Sequence, residues 1–504
     1  MEKAYQFLNK FLAIIVIAVV SAITLMVVNY ITMFPHSYYE RPLIFKSFWI
    51  FVITAGLSIA LAIMLERKGI LKDNKVNFYL KILLAYSFIV SVVWLYVSGS
   101  YPVADQSYLN LGASQMLEGN YNYFQEPNYF YKYPHQLGMV LLLNVIYRIF
   151  GQSNYFIFGM INAFGVTLCL YLLYKITKLL FDNRKTEKAY IVLAFFMFPL
   201  FFYTPFIYGN IVSLLFSLGA IYLTVLYMKR NKLWYQLLAS LLIVIAIILK
   251  SNSLIVLLAI GLLLFVHAIK IKKIMPLIMI AVMLVFYFLG GQLISGYFEN
   301  LTGIKFNNSI PKTAYIAMGL QESNRAPGWY NWYVENVYEG NAYSSEETNS
   351  QAINYIKDRV TYFSKHPVYA MKFFGEKLIT IWTDPTFQGL WINNNSELTD
   401  RDFNVFNYNI FYGPINALIV FSLYVYEIVI CLLASFYLLA TRKKLDHIIL
   451  SLGIVIVGGF FFHLIWEAKG QYTLSYYILL LPYAAAGFTE IIRQVNNKLK
   501  NQVV

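Results

Sequence analysis

The stretch FLAIIVIAVVSAITLMVVNYITM, residues 11–33, is apolar over a length that the core of a small soluble domain seldom needs. A helix requires about 20 mainly apolar residues to cross the hydrocarbon layer of a membrane, and this stretch supplies them. It is too long for the apolar part of a signal peptide, and no cleavage site of small residues follows it. The stretch therefore predicts a retained transmembrane helix.

The composition extends this interpretation to the whole chain. Of the 504 residues, 59% are hydrophobic and 13% are charged, whereas soluble domains average about 25% charged residues. Apolar runs recur along the sequence, so we predict an all-α integral membrane protein with about twelve transmembrane helices. They are expected near residues 11–33, 47–65, 78–98, 155–174, 189–204, 210–228, 233–249, 252–269, 274–294, 414–440, 447–466 and 471–491.

Short clusters of basic residues separate many of these runs and indicate the orientation of the chain. They lie at residues 66–75, 175–188, 229–232, 270–273 and 442–444, and after Arg493. Under the positive-inside rule such clusters are cytoplasmic loops, so the formal charge of +14 does not indicate nucleic-acid binding. We therefore expect a multi-pass protein of the plasma membrane with both termini in the cytoplasm.

The apolar run at residues 136–150 decides whether this orientation holds throughout. It is short for a transmembrane helix, and if it crossed, the basic stretch 175–188 would lie outside. An interfacial helix on the outer face places every later basic cluster inside, so we favour that interpretation. Apolar residues nevertheless surround most of this helix, as they would in a span.

Two long segments, 99–154 and 295–413, are then extracytoplasmic. The chain divides into two extra N-terminal helices (1–77), a transmembrane module with the first outer loop (78–294), a small extracytoplasmic subdomain (295–413), and C-terminal helices with a cytoplasmic tail (414–504). Within the subdomain, residues 344–367 predict a helix that is capped by a serine and stopped by Pro367.

Both cysteines, Cys169 and Cys431, lie inside apolar runs and are predicted to be core residues without a disulfide.

Several charged residues fall at the outer ends of predicted spans. They are Asp105, Lys132, His135, Lys250, Glu467 and Lys469. Five of them also have a plain structural interpretation: Asp105 as a loop acid or helix cap, Lys250 as a lysine reaching the interface, Glu467 and Lys469 as a loop ion pair, and His135 as a hydrogen-bonding loop residue.

If these groups converge, their chemistry suits the transfer of a sugar from a lipid-linked phosphate. A carboxylate can deprotonate a hydroxyl, and cations can hold a phosphate leaving group. The sequence has no zinc-ligand spacing, phosphate-binding P-loop, dinucleotide fingerprint or serine nucleophile elbow. We therefore expect no cofactor and no metal.

The order of these features resembles the C-type glycosyltransferases, the polytopic superfamily that includes protein O-mannosyltransferases and lipid A aminoarabinose transferases. A span is followed by an acid in the first large outer loop, by the string YKYPHQLG at 131–138, and by a short apolar helix that ends in Phe150 and Gly151. The stretches TPFIYGNIVSLLFSLGAIYL at 204–223 and WEAKGQYTLSYYILLLPYAAAG at 466–487 are also similar to members of that family.

The resemblance implies that Asp105 is the catalytic base and that the short helix lies along the membrane surface. The substrate-binding candidates are Lys132, Tyr133, His135, Gln136, Lys250, Asn252, Glu467, Lys469 and Tyr472. The sequence departs from the family at Gln106, where many members have a second acid, and at His135, where many have a second proline. The two extra N-terminal helices are a further departure.

The expected function is therefore the transfer of a sugar from a polyprenyl-phosphate donor, with inversion at the anomeric carbon. Residue usage rich in Lys, Asn, Ile and Tyr is typical of AT-rich bacterial genomes, so the expected acceptor is a surface glycopolymer or glycolipid. A flippase or transporter of lipid-linked oligosaccharide remains an alternative and would need polar residues at mid-span. A polymerase of surface polysaccharide is a second alternative.

Overall fold

The computed structural model describes residues 1–34, 40–67, 75–394 and 409–501. This part of the chain is almost entirely helical, which confirms the all-α prediction. Its one sheet is an antiparallel hairpin of β1 (Tyr30–Met33) and β2 (Leu43–Lys46), with Tyr30 opposite Lys46. The hairpin joins the first two helices.

The helices that precede the second outer segment are listed in chain order. They are α1 (Glu2–Asn29), α2 (Phe48–Arg67), α3 (Val76–Ser98), α4 (Asp105–Gln115), α5 (Tyr129–Lys132), α6 (Leu137–Phe150), α7 (Tyr155–Phe181), α8 (Arg184–Ala194), α9 (Phe198–Phe202), α10 (Asn210–Arg230), α11 (Leu233–Leu249), α12 (Leu254–Ile271) and α13 (Met275–Thr302).

The remaining helices are also listed in chain order. They are α14 (Lys312–Gly319), α15 (Tyr333–Gly340), α16 (Ser345–Lys365), α17 (Pro367–Trp382), α18 (Gly389–Asn394), α19 (Pro414–Ala440), α20 (Ser451–Ile465), α21 (Gly470–Tyr477) and α22 (Leu480–Asn501). Short 3-10 helices occur at Met116–Glu118, Asn122–Phe124, Pro134–Gln136 and Ser251–Ser253.

Seven helices in the described chain are long and apolar enough to cross a membrane. They are Glu2–Asn29, Val76–Ser98, Tyr155–Phe181, Asn210–Arg230, Ser251–Ile271, Met275–Thr302 and Asn409–Ala440. An eighth crossing is formed if the bent pair α21 and α22 counts as one span, and three shorter apolar helices lie at Phe48–Leu57, Leu233–Leu249 and Ser451–Ile465. The protein is therefore a multi-pass membrane protein, and the predicted count of twelve is not confirmed.

Two of the predicted spans are broken. The span expected at 189–204 is divided between α8 and α9, because Pro199, in the first turn of α9, has no N–H to continue the hydrogen bonds of α8. The span expected at 471–491 bends by 49° between α21 and α22. Pro482 lies three residues into α22 and lacks the N–H that would continue the preceding helix.

The predicted helix of the outer subdomain is confirmed as α16. The hydroxyl of Ser344 accepts a hydrogen bond of 3.3 Å from the backbone N–H of Glu347 and caps the helix, and Pro367 begins α17. Cys169 and Cys431 are buried and free, as predicted.

Helix α6 occupies the short apolar run at 136–150. Its 14 residues span about 21 Å, less than the hydrocarbon thickness of about 30 Å. It is fastened to α4, because Asn144 Nδ2 donates to the carbonyl of Ala113 at 2.9 Å and the Tyr147 hydroxyl donates to Asn110 at 2.5 Å. These contacts and this length favour the predicted interfacial position.

The two long outer segments contact each other and so lie at the same end of the helical bundle. Lys132 Nζ is 2.7 Å from a carboxylate oxygen of Glu339, and the Tyr133 hydroxyl donates to Glu335 at 2.5 Å. The N-terminal hairpin joins this end too, because the backbone N–H of Thr32 donates to the carbonyl of Thr383 at 2.8 Å. This end of the bundle holds the predicted site residues.

Candidate active site

Asp105 is the first residue of α4 and is exposed at the outer end of the bundle. An acid in the first turn of a helix is favoured by the helix dipole. The preceding residue, Ala104, has a φ of 49°, a left-handed conformation that costs about 1–3 kcal/mol in a residue with a side chain. This strained turn sets the direction in which α4 leaves α3 and carries the carboxylate.

Two phenols face the Asp105 carboxylate. Burial raises the pKa of both Tyr129 and Tyr208 well above the ordinary value of a phenol, and the negative charge of Asp105 is the second cause of this increase. The amide nitrogen of Gln136 donates to the Tyr208 hydroxyl at 2.7 Å and fixes that ring from the other side. Asp105 is thus close to two phenols that come from two separate connections of the chain.

Lys250 lies next to this group, at the point where α11 ends. Its ammonium is 4.0 Å from the centre of the Tyr208 ring and 5.7 Å from that of Tyr472, so its nearest neighbours are aromatic faces. Within the described chain, no carboxylate lies within 4 Å of this ammonium. Burial lowers the pKa of Lys250 to about 7, with Asp105 opposing the shift and Lys469 adding to it.

Lys469 lies in the turn between α20 and α21 and is held by carboxylates. Its Nζ is 3.8 Å from an oxygen of Glu467 and 3.8 Å from an oxygen of Glu40. Glu40 also pairs with Arg325 at 2.5 Å. The four side chains form an alternating row of charges, and the ring of Tyr330 lies over both cations, 5.3 Å from Lys469 and 5.4 Å from Arg325.

Glu467 shares this environment. Burial raises the pKa of its carboxyl group to about 7, while the charge of Lys469 opposes that shift. The Tyr472 hydroxyl donates to Glu467 at 3.4 Å, and the Tyr472 ring stacks on His463 at 5.5 Å between centres. The turn that carries Glu467 and Lys469 is therefore packed against the same aromatic face that contacts Lys250.

A cavity lies beside Lys250, and its volume is about 530 Å³ when the open solvent at its entrance is included. One end of the cavity, here called its mouth, is polar, because Lys250, Asn252, Gln471 and Tyr472 lie at or next to helix ends. Deeper in the helical bundle its walls become apolar, with serines among them; the lining there includes Leu214, Leu218, Ile221, Val256, Val455 and Leu479. The cavity thus changes from charged to apolar in the direction of the membrane interior.

A second buried lysine, Lys377 of α17, supports the turn before Glu467. Its ammonium donates to the carbonyls of Gly319 at 2.6 Å, Leu464 at 3.0 Å and Trp466 at 2.7 Å. Burial lowers its pKa to about 7, whereas the three acceptors favour the charged form, which alone has three N–H donors. Lys377 fastens the outer subdomain to the end of α20.

The other predicted residues lie at different distances from this centre. Asn252 lines the mouth of the cavity. His135 is exposed in the cleft, and the charges of Lys250 and Asp105 both affect the pKa of its imidazole. Tyr133 hydrogen-bonds to Glu335, and the ammonium of Lys132 pairs with Glu339, so the structure gives Lys132 a partner in α15.

Four contributors to the site were not predicted from the sequence: Glu40, Arg325, Tyr208 and Tyr330. Glu40 lies in the connection between the first two helices, and Arg325 and Tyr330 lie in the long outer segment. The only sequence signal for such residues is a charged side chain in a predicted outer loop, as at Glu40 in the string Glu40-Arg41-Pro42. Within the described residues, no three His, Cys, Asp or Glu side chains are grouped to hold a metal ion.

The site thus defines a polytopic membrane protein in which a charged cleft at one end of the helical bundle adjoins a partly apolar cavity. Residues 135–289 match the family model described as dolichyl-phosphate-mannose-protein mannosyltransferase. This match supports the C-type glycosyltransferase superfamily and confirms the resemblance noted in the sequence. It supports a membrane glycosyltransferase that uses a lipid-linked sugar donor.

The matched region begins at His135 and includes Tyr208, Lys250 and Asn252, while Asp105 and the 466–472 turn lie outside it. None of the curated proteins compared with the chain matches it.

Proposed function

We propose that the protein transfers a sugar from a polyprenyl-phosphate donor to an acceptor hydroxyl at the outer membrane face. The observation that carries this proposal is the position of Lys250. Its ammonium lacks a carboxylate partner among the described residues and lies at the polar mouth of a cavity with apolar walls, close to Asp105. A prenyl phosphate has a charged phosphate at one end and an apolar chain behind it, so its polarity matches that of the cavity.

Asp105 serves as the general base in this proposal. The acceptor oxygen bonds to the anomeric carbon as its proton passes to the Asp105 carboxylate, and the bond between that carbon and the phosphate oxygen breaks with its electron pair on the phosphate. Attack opposite the leaving group inverts the anomeric carbon. A positioned base of this kind typically contributes about 10²–10⁴-fold to the rate.

The leaving phosphate gains negative charge in this step, and cations stabilise it. Lys250 is the principal candidate because its three N–H donors face aromatic rings rather than acceptors. Lys469 is a second candidate, although Glu40 and Glu467 already share its charge. The aromatic side chains of Tyr208, Tyr330 and Tyr472 provide surfaces for a sugar ring and reduce the access of water.

The alternative of a flippase needs charged or polar groups that line a path at mid-span. Glu427 is a carboxylate within α19, but it is 1% exposed and does not line the cavity beside Lys250. The cluster at Asp105 lies instead at helix ends. Glycosyl transfer therefore accounts for more of the site than transport does.

The experiment uses the full protein in proteoliposomes with a radiolabelled polyprenyl-phosphate hexose and crude surface-glycopolymer and glycolipid fractions as acceptors. We expect label to move to a fraction that is not the donor. Movement of intact donor between leaflets without such transfer would contradict the proposal and favour the flippase. Growth of the polymer from an oligosaccharide donor only would favour the polymerase.

We further propose that the site faces outward from a bacterial plasma membrane and that both termini are cytoplasmic. Ser344 caps α16 in the outer subdomain, and Asn231 lies in the basic turn between α10 and α11. In intact cells, an impermeant thiol reagent should label Ser344→Cys and leave Asn231→Cys unlabelled. The reverse result would contradict the orientation. The parent is the control, because Cys169 and Cys431 are buried.

A further inference from the structure

Residues 1–77 precede the part of the chain that resembles the glycosyltransferases, and the sequence suggests no role for them. The structure brings their outer connection into the candidate active site. Glu40, which lies shortly before β2, is 4% exposed and is surrounded by residues of the outer subdomain and of the 466–472 turn. A carboxylate is seldom buried to this extent without partners.

Glu40 has a partner for each of its oxygens. Oε1 accepts a hydrogen bond of 2.7 Å from the amide nitrogen of Gln388. Oε2 lies 2.5 Å from a guanidinium nitrogen of Arg325 and 3.8 Å from the ammonium of Lys469. Gln388 in turn accepts a hydrogen bond of 3.1 Å from the backbone N–H of Gln471 through its own oxygen. Glu40 thus contacts Lys469 directly and reaches the start of α21 through Gln388.

This arrangement fixes the position of the Lys469 ammonium. Glu467 attracts it from the same turn, and Glu40 attracts it from the N-terminal hairpin, each at 3.8 Å. With Glu40 absent, Glu467 would be the only carboxylate of the described residues within 4 Å of this ammonium, and Arg325 would lose its ion pair with Glu40. Two cations near the donor phosphate would then change position.

We propose that Glu40 is a positioning residue of the transfer site and that the N-terminal helix pair is thereby a functional part of the enzyme. The inference rests on the proposed function, in which Lys469 is the second candidate, after Lys250, for holding the donor phosphate. Glu40 does not itself contact the reacting atoms. It acts through Lys469 and Arg325, which it holds in the geometry that the transition state requires.

The first test compares donor kinetics of Glu40→Gln with those of the parent. We expect kcat to fall at least about 10-fold, because the misplaced cations stabilise the leaving phosphate less well. The donor KM should stay the same or decrease, because a negative charge has been removed from an anion site. Equal kcat values for E40Q and the parent would overturn the inference.

The matched control is Glu376→Gln in α17. Glu376 also pairs with a lysine at 3.8 Å, but that pair with Lys372 is exposed on the helix surface. We expect parent-like kinetics from this variant. A comparable loss of kcat in E376Q would show that any carboxylate of the subdomain has this effect and would overturn the inference.

A double-mutant cycle tests whether Glu40 acts through Lys469. In a Lys469→Met background, the substitution Glu40→Gln should lower kcat by clearly less than it does in the parent, because the group that it positions is gone. Independent effects, in which the two losses multiply, would overturn the route through Lys469.

A third readout does not depend on transfer. Burial tends to lower the pKa of Lys469, but the carboxylates of Glu40 and Glu467 outweigh it and raise that pKa. Glu40→Gln should therefore increase the rate at which an amine-reactive acylating reagent modifies Lys469, measured by peptide mass spectrometry. An unchanged rate would overturn the positioning role, even if the parent shows no transfer.

Failure of the proposed transfer activity and failure of the positioning role of Glu40 give different experimental results. A parent without transfer overturns the proposed function, while a faster acylation of Lys469 in E40Q would still support the positioning by Glu40. If E40Q does not accumulate as folded protein, Glu40→Asp replaces it, because Asp keeps the charge but shortens the reach. We expect E40D to have a lower kcat and a faster acylation of Lys469 than the parent, and parent-like values of both would overturn the inference.

Discussion

Lys250 and Lys377 lie at the same outer end of the molecule, and burial lowers the pKa of each to about 7, but their surroundings differ. Three backbone carbonyls accept the hydrogen bonds of Lys377. Lys250 contacts the faces of Tyr208 and Tyr472 instead. A buried ammonium whose donors are all used stabilises the fold, whereas one whose donors face aromatic rings beside a cavity is available for an anion.

The two lysines also belong to different parts of the site. Lys377 holds the end of α20, and the turn that follows it carries Glu467 and Lys469. Lys250 contacts the rings of Tyr208 and Tyr472, and Asp105 is close to Tyr208. One lysine therefore supports the scaffold of the site, and the other is part of its surface.

The largest expected effect distinguishes the acid beside Lys250 from acids elsewhere in the outer segments. Asp105→Asn should lower kcat for sugar transfer by about 10²–10⁴-fold, because Asn keeps the shape but cannot take the acceptor's proton. Donor KM should change much less, since the cations remain. Asp358→Asn, an exposed acid in α16, is the control and should behave like the parent. Near-parent turnover in D105N would reduce Asp105 to a loop acid.

The next effect concerns Lys250 itself. Lys250→Met removes a charge-assisted contact with the phosphate, which is worth about 1.5–3 kcal/mol, so the donor KM should rise by roughly 10–150-fold. The folded protein should keep its thermal stability, because the ammonium has no carboxylate within 4 Å among the described residues. A loss of stability with an unchanged donor KM would reverse the roles assigned to the two lysines.

Lys377→Met should show the opposite pattern. It leaves buried carbonyls without their donor, at a cost of about 1–3 kcal/mol for each unsatisfied group, so the melting temperature should fall. Donor KM, measured on the folded fraction, should change less than threefold. The check is a thermal unfolding curve in detergent alongside donor kinetics, and a KM increase equal to that of K250M would remove the distinction between the two sites.

The smallest expected effect is a pH dependence of donor binding. The ammonium form of Lys250 is present below its pKa of about 7 and is lost as the pH rises through that value, so donor KM should increase several-fold between about pH 6 and about pH 8. Glu467, with its pKa raised to about 7 by burial, gains negative charge over the same interval and acts in the same direction. Asp105 and Lys469 also face this lysine.

The variant K250M separates these contributions. It retains only the part of the pH dependence that Glu467 contributes, so its donor KM should change less steeply with pH than that of the parent. An equally steep profile in K250M would assign the whole dependence to Glu467 and would contradict the titration of Lys250.

The sequence predicted those parts of the fold and site that depend on composition and on neighbouring residues. Apolar runs located most of the long helices. Charges at the predicted outer ends of spans suggested Asp105, Lys250, Glu467 and Lys469 as candidates, and the structure brings these four residues close together. The breaks at α8–α9 and α21–α22 were missed because both stretches are apolar throughout, and the positions of Pro199 and Pro482 received too little weight.

Other parts depend on contacts between distant segments, which one sequence does not reveal. Glu40 reaches Arg325 across 285 positions of the chain. Lys377 has the sequence context of an ordinary helical lysine, and its role follows only from the carbonyls that the end of α20 brings to it. Lys132 matched the pattern of the family, but the structure pairs its ammonium with Glu339.

The most direct test of the central claim is a structure of the full protein in a lipid nanodisc with a non-hydrolysable polyprenyl-phosphate sugar analogue. We predict the phosphate within hydrogen-bonding distance of the Lys250 ammonium, the prenyl chain in the cavity along Val256 and Val455, and the anomeric carbon beside Asp105. A phosphate bound elsewhere, with Lys250 still against Tyr208 and Tyr472, would contradict the account.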